Sequence, residues 1–250
     1  MTSDTSSSIL LYGKGVFTTI AIRDRKPFLW AKHWRRLQDN AAKLGIDISE
    51  HTEADIRSAL DELISNEDLA QGRARITLID VSPSRMWGGS GENRTELLIN
   101  MGPKRPRRDH LKLTLSPHLV NSTSPLAGVK SCNYLEHLMA HEETRGRGFD
   151  EAIRLNEKGH VASACMTNVF WEESGKLYTP SLSTGGLAGT TRGFVMENFE
   201  CEEVEAGIAE IESAERIFLT SAGLGIAPVA EFNGRSLEVV EHPILKIFPS

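Results

Sequence analysis

The chain has 250 residues, 40% hydrophobic and 25% charged, the proportions of a folded globular protein and too apolar for intrinsic disorder. Lys and Arg number 28 against 34 Asp and Glu, a net charge of −6, and the one dense basic block is Lys104–Arg108, which argues against a nucleic-acid binder. No apolar run approaches the ~20 residues of a bilayer span, and the opening MTSDTSSSILLYG lacks the flank of an export signal. The three cysteines, Cys132, Cys165 and Cys201, sit at unrelated spacings that fit neither a disulfide framework nor a zinc cluster. The expectation is a soluble, cytoplasmic protein with a real core and an enclosed site for a small molecule, without nucleic-acid, membrane or metal partners.

Residues 2–8 are rich in Ser, Thr and Asp and read as frayed. Ile9–Tyr12 runs through Gly13-Lys14-Gly15 into the β-branched stretch Val16–Ile22, and the whole reads as strand. Trp34, Leu37, Ala41 and Leu44 recur at helical steps between Ala31 and Leu44, with Gly45 placed to cap the end, and Ile56, Leu60 and Leu63 mark a second helix. Strands follow at Arg73–Val81 and Thr95–Met101, separated by a glycine-rich loop around Trp87–Gly91 long enough to reach over a cleft. The segment Gly102–Arg108, with two prolines and four cations, is the linker, so the boundaries fall at 1–103, 104–110 and 111–250. Beyond it the pattern predicts a strand over Leu111–Val120, a Pro/Gly loop to Lys130, and a helix over Ser131–Arg145 with Tyr134, Leu138 and Met139 on one side. Strands at 151–156, 167–171 and 176–178, a glycine-rich turn at 184–189, a helix to about Phe199 and a buried strand over Arg216–Ser221 complete a mixed α+β half.

Lys130 ends a loop that meets a helix apolar on one face, where partial desolvation lowers its pKa and frees the amine for Schiff-base chemistry. Taken alone it reads more readily as a solvated surface lysine. Its surroundings are GVKSCNYLE (128–136), EAIRLN (151–156), VASACMTNVFW (161–171) and GTTR (189–192), preceded by YGKGVFTT (12–19) and HWRRL (33–37). In this order and spacing, from Tyr12 to Val229, they resemble the class IV aminotransferase family, the pyridoxal-phosphate enzymes of fold type IV. The segment FTT and the ending NVFW look most like the lyase branch of that family, which acts on 4-amino-4-deoxychorismate; KSCNY looks equally like its branched-chain aminotransferase branch.

The resemblance implies an α+β, two-domain architecture of the D-amino-acid aminotransferase type: a smaller N-terminal α/β sandwich and a larger C-terminal mixed, barrel-like domain. It implies pyridoxal 5'-phosphate as cofactor, an amino compound as substrate, and a homodimer. Lys130 then carries the cofactor and moves the substrate's proton, Arg36 pairs with the phosphate, and Tyr134 bonds the ring's phenolic oxygen. Gly189, Thr190, Thr191, Ser221 and Ala222 cradle the phosphate. Thr19 is a catalytic hydroxyl, and Thr18 and Arg75 contact substrate. Independently of any family, a phosphate wants a bidentate arginine and the amide donors of a helix start, and GTTR opens a helix behind a glycine turn. Taken from the residues alone, Thr18 and Thr19 also read as strand packing. Arg73, Arg75 and Arg94 read either as a dicarboxylate grip or as an exposed basic stripe. His137 and His141, spaced i, i+4 without a third ligand, read as helix surface.

Two departures from the family pattern stand out. Ser163 occupies the position of the glutamate that keeps the pyridine nitrogen protonated; a serine hydroxyl hydrogen-bonds a neutral nitrogen but supplies no negative charge. Three readings follow: an elimination whose electrons leave with a departing group, a transaminase that recruits Glu157, Glu172 or Glu173, or a relative without catalysis. The second departure is a short stretch ahead of Tyr12, which predicts a first sheet one strand short or an edge covered by a partner subunit.

Overall fold

A computed structural model describes residues 7–85, 88–89, 92–106 and 110–247. The residues before Ser7 for which fraying is expected, Trp87, Ser90 and Gly91 of the glycine loop, and Arg107 and Arg108 of the basic linker lie outside the described residues. The chain divides into two compact units, Met1–Arg105 with Val129–Tyr134, and Pro106–Gly128 with Leu135–Ser250. The six-residue excursion carries Lys130 and Tyr134 into the first unit, whereas a single boundary at 104–110 assigns them to the second.

The first unit runs α1 (Ser8–Tyr12), β1 (Gly15–Arg23), β2 (Lys26–Pro27), α2 (Trp30–Lys43), α3 (Glu53–Asn66), β3 (Gln71–Asp80), a two-residue ladder of β4 (Ser84–Arg85) and β5 (Gly88–Gly89), and β6 (Thr95–Pro103). Its main sheet is antiparallel in the order β2-β1-β3-β6. Val16, Ile20 and Ile22 of β1 and Ala74, Ile76 and Leu78 of β3 point to one face, where Trp34, Leu37 and Ala41 of α2 and Ile56, Leu60 and Ile64 of α3 close the core. In α3 the third buried position is Ile64, one residue past the expected Leu63, and a Thr52–Asp55 capping box fixes the helix start.

Two expectations fail here for physical reasons. Residues 9–12 form a short helix, not a strand: Gly13, at φ +63°, closes its C-terminus in a left-handed conformation, and a Cβ there would lie 2.6 Å from Asn133 Oδ1. Residues 131–134 are not helical. They run along β1, where Ser131 bridges Val16 antiparallel, Phe17 N–H donates to the Lys130 carbonyl at 2.9 Å and Cys132 N–H to that of Gly15 at 2.8 Å. The start of β1, on the side away from β3, is thus covered by the chain's own segment.

The second unit contains β7 (Leu111–Leu115), α4 (Leu135–Gly146), β8 (Glu151–Leu155), β9 (Val161–Ala164), β10 (Asn168–Glu173), β11 (Lys176–Pro180), α5 (Thr190–Asn198), β12 (Glu202–Val204), α6 (Ile208–Ser213), β13 (Arg216–Ser221), β14 (Gly225–Phe232) and β15 (Arg235–Ser236). They build one nine-stranded mixed sheet in the order β12-β11-β10-β13-β14-β7-β8-β9, with β15 on β14. Because β9 also approaches β10 and β11, the sheet curls around a core of Leu113, Ile153, Val161, Val169, Trp171, Leu219, Val229 and Phe232. The strand expected over 111–120 stops at Leu115, where Ser116 Oγ accepts from His118 N–H and turns the chain. Strand β14 is masked in the sequence by Pro228; its ladder to β7 begins only at Val229, so the missing N–H falls outside that pairing. On α4 the apolar residues Leu135, Leu138 and Met139 are exposed, and the helix buries Ala140 and Thr144 instead.

Candidate active site

Alternation along β1 sorts the first unit's chemistry. Thr18 points with Val16 and Ile20 toward α2, and Phe17 and Thr19 point to the other face. Thr18 is 1% exposed, and its hydroxyl lies 2.7 Å from His33 Nδ1 and 2.8 Å from Arg36 Nη2, both on α2. This differs from the substrate-facing position expected of it. Thr19 is half-buried and stands opposite Arg75 in the β1–β3 register. The Arg75 guanidinium lies 3.6 Å from the Phe17 ring centre, with its Nε donating to Thr77 Oγ1 at 3.2 Å.

Phe17 also anchors Lys130. The Lys130 ammonium is 4.5 Å from the Phe17 ring centre and 4.6 Å from that of Tyr134, and it donates to the Tyr134 hydroxyl at 3.1 Å. The two rings meet edge-to-face, 5.1 Å apart at 81°. Burial first, then the positive charges of Arg36 and Arg75, bring the Lys130 pKa down to about 7. Burial also lowers Arg36 to about 10. His33 falls well below its ordinary value through burial, Arg36 and Lys130, so its ring is neutral. The cluster therefore offers an amine that is partly unprotonated at neutral pH beside two fixed cations, the arrangement of an amine nucleophile that meets an anionic partner. Sequence reasoning misses Phe17, although its place between Val16 and Thr18 in an alternating strand marks it as facing away from the helices.

In the second unit the turn before α5 is built for an anion. Gly189 takes the N-cap of α5 and no side chain caps the helix. Asn168 Nδ2 pins the turn by donating to the Leu187 carbonyl at 2.8 Å, and a Cβ on Gly189 would lie 2.0 Å from Asn168 Oδ1. Across β10 and β13, Asn168 pairs with Thr220. Thr191, 1% exposed, and Thr220, 0% exposed, have buried hydroxyls with no hydrogen-bond partner among the described residues. Two idle hydroxyls beside the uncapped start of a nine-residue helix fit the oxygens of a phosphate. Thr190 is buried as well. Ser221 and Ala222 are half-buried, and Ser221 Oγ accepts from Leu224 N–H, so in this strand end Thr220 carries the idle hydroxyl and Ser221 closes the turn. Arg192, the last residue of GTTR, donates to the Pro180 carbonyl and to Glu203, holding α5 to the sheet.

Ser163, 8% exposed, lies on β9 directly opposite Arg154 of β8. Arg154 is fully buried and donates to the carbonyls of His118 and Leu119 and to Glu136, with His137 Nδ1 at 3.2 Å. The glutamates considered as substitutes are engaged elsewhere: Glu157 with Ser122, Glu172 with Arg216 and His242, Glu173 with Ser213. Arg73 donates to the Pro103 carbonyl and Arg94 pairs with exposed Glu96.

The family described as amino-transferase class IV matches residues 15–232. The chain is 31% identical over 229 residues to the aminodeoxychorismate lyase of Bacillus subtilis, covering 87% of this chain and 77% of that protein. Among solved structures, 4-amino-4-deoxychorismate lyase from Pseudomonas aeruginosa superposes with a TM-score of 0.84 at 25% identity, covering 97% of this chain and 91% of that one. The branched-chain aminotransferase of Thermoproteus uzoniensis does so with 0.87 at 26% identity, covering 96% and 84%. No helix among the described residues is long and apolar enough to cross a membrane.

Proposed function

Because the chain belongs to the class IV aminotransferase family, we propose that it is a pyridoxal-phosphate enzyme whose reaction is elimination on 4-amino-4-deoxychorismate, releasing pyruvate and 4-aminobenzoate. When bound, the cofactor supplies an aldehyde that condenses with amines and a ring that accepts electrons. Lys130 is the residue for that aldehyde, since a pKa brought down to about 7 leaves a substantial share of its amine neutral near pH 7. Tyr134, already bonded to Lys130, orients the amine and offers a hydroxyl to the ring's phenolic oxygen. Arg36 is the arginine candidate for the phosphate; within the second unit, the start of α5 with the Thr191 and Thr220 hydroxyls is a separate candidate for an anion. With the cofactor holding the substrate through its amine, Lys130 would be free to take the proton from the carbon bearing that amine. Thr19 and Arg75, neighbours across β1 and β3, are the candidate groups for the substrate's hydroxyl and carboxylate functions.

The observation that carries the lyase reading is Ser163. No carboxylate stands at this position, and the cross-strand neighbour is a cation, Arg154, so nothing here favours a protonated ring nitrogen. A weaker electron sink suits an elimination in which the enolpyruvyl group departs and the ring left behind becomes aromatic better than an amino transfer, which has no such pull. The branched-chain aminotransferase likeness keeps transfer to a 2-oxo acid as the second reading. The test is a pair of assays on cofactor-loaded protein. Turnover of aminodeoxychorismate to 4-aminobenzoate without accumulation of the pyridoxamine form supports the lyase; conversion to that form by amino-acid donors, with no 4-aminobenzoate, establishes the aminotransferase.

A further inference from the structure

On the face that β1 turns to α2, Val16, Ile20 and Ile22 are apolar and Thr18 alone is polar; the partner it meets, His33, is a histidine only 1% exposed. Burying both groups is costly unless their hydrogen bonds are made. The Thr18 hydroxyl is 2.7 Å from His33 Nδ1 and 2.8 Å from Arg36 Nη2. An arginine has only donors, so Thr18 Oγ1 accepts from Arg36 and keeps its own proton to give. That proton goes to His33 Nδ1 when the neutral ring carries its own proton on Nε2. Its burial and the nearby charges of Arg36 and Lys130 all oppose a second proton.

Resting on the assignment of Arg36 to the cofactor phosphate, we infer that Thr18 and His33 are positioning residues. Together they form a one-way relay, Arg36 N–H to Thr18 Oγ1 and Thr18 O–H to His33 Nδ1, that fixes the guanidinium plane and selects which of its donors meet an anion. A valine and a phenylalanine would fill the same space, so packing does not account for the pair. An arginine held in one rotamer before binding loses less freedom when it closes on a phosphate, and its fork geometry makes orientation matter.

The test compares binding of pyridoxal phosphate with binding of pyridoxal, which lacks the phosphate, in wild type, Thr18→Val, Thr18→Ser, His33→Phe and Arg36→Leu. Thr18→Val and His33→Phe are expected to weaken pyridoxal phosphate about tenfold, the scale of one charge-assisted hydrogen bond, with pyridoxal affinity unchanged. Thr18→Ser restores phosphate affinity. Nitrogen NMR on wild-type apo protein reads the relay without any variant: Nδ1 of His33 is unprotonated and Nε2 protonated. Equal loss of both ligands, unchanged pyridoxal phosphate affinity in Thr18→Val and His33→Phe while Arg36→Leu loses it, or a proton on Nδ1 each overturns the relay and leaves the Arg36 assignment standing. Wild-type affinity in Arg36→Leu removes the phosphate assignment and the relay with it.

Discussion

Lys130 donates to the Tyr134 hydroxyl at 3.1 Å although neither residue lies on a helix. Four-residue spacing suggests one turn of α-helix, but the contact arises differently. Backbone bonds from Phe17 and Cys132 lay the segment along β1, and the Phe17 ring brings both side chains together from below. The position of the amine therefore follows from the register of a strand more than one hundred residues earlier, and so does its pKa, because Phe17 and Arg75 share the face of the sheet on which it rests.

Burial, Arg36 and then Arg75 bring Lys130 to about 7, so the rate at which apo protein condenses with pyridoxal should rise with pH and level off above that value. Arg75→Leu removes one of the opposing cations and should move the midpoint upward. Stopped-flow absorbance reads both; a wild-type midpoint close to the ordinary lysine value of 10.5 contradicts the assignment.

The same shift acts on stability. A lysine that falls from 10.5 to about 7 on folding binds fewer protons in the native than in the unfolded chain between those values, so unfolding free energy rises with pH across that window. Below it the cost of the buried cation is fully present. Lys130→Met should melt above wild type at about pH 6, with the gap narrowing toward about pH 10. A gap independent of pH would count against a desolvated ammonium.

Thr191→Val and Thr220→Val each remove a buried hydroxyl that has no partner. Apo protein should gain up to about 1 kcal/mol from each, the lower end of the cost of an unsatisfied buried group, while pyridoxal-phosphate affinity drops. Calorimetric titration beside thermal unfolding shows whether the two signs are opposite. Destabilised apo protein with unchanged affinity means that the hydroxyls serve the fold and not a ligand.

Much of the fold and of the candidate site is legible in the amino-acid sequence. The helix Trp30–Lys43 and the strands Gly15–Arg23 and Gln71–Asp80 follow from alternation and helical period, and the glycine turn before Thr190 from its composition. The features that local pattern misses are set by distant pairing. Residues 131–134 have an acceptable helical pattern and become extended only because the start of β1 offers an edge. Pro228 masks a strand whose neighbour begins one residue later. The direction of Thr18 is ambiguous in sequence because two adjacent threonines alternate faces, and only the helix carrying His33 and Arg36 settles which one is buried.

Ser163→Glu tests the electron-sink argument. A carboxylate introduced across from Arg154 should increase the amount of pyridoxamine form produced in a single-turnover reaction with an amino-acid donor. Unchanged or reduced yield, followed by absorbance, would mean that position 163 does not govern the ring nitrogen.

The most direct measurement treats the protein with pyridoxal phosphate, reduces it with borohydride and maps the label by peptide mass spectrometry. A phosphopyridoxyl group on Lys130, abolished in Lys130→Met, is the predicted result. An unlabelled chain, or label spread over exposed lysines with Lys130 unmodified, would contradict the central claim.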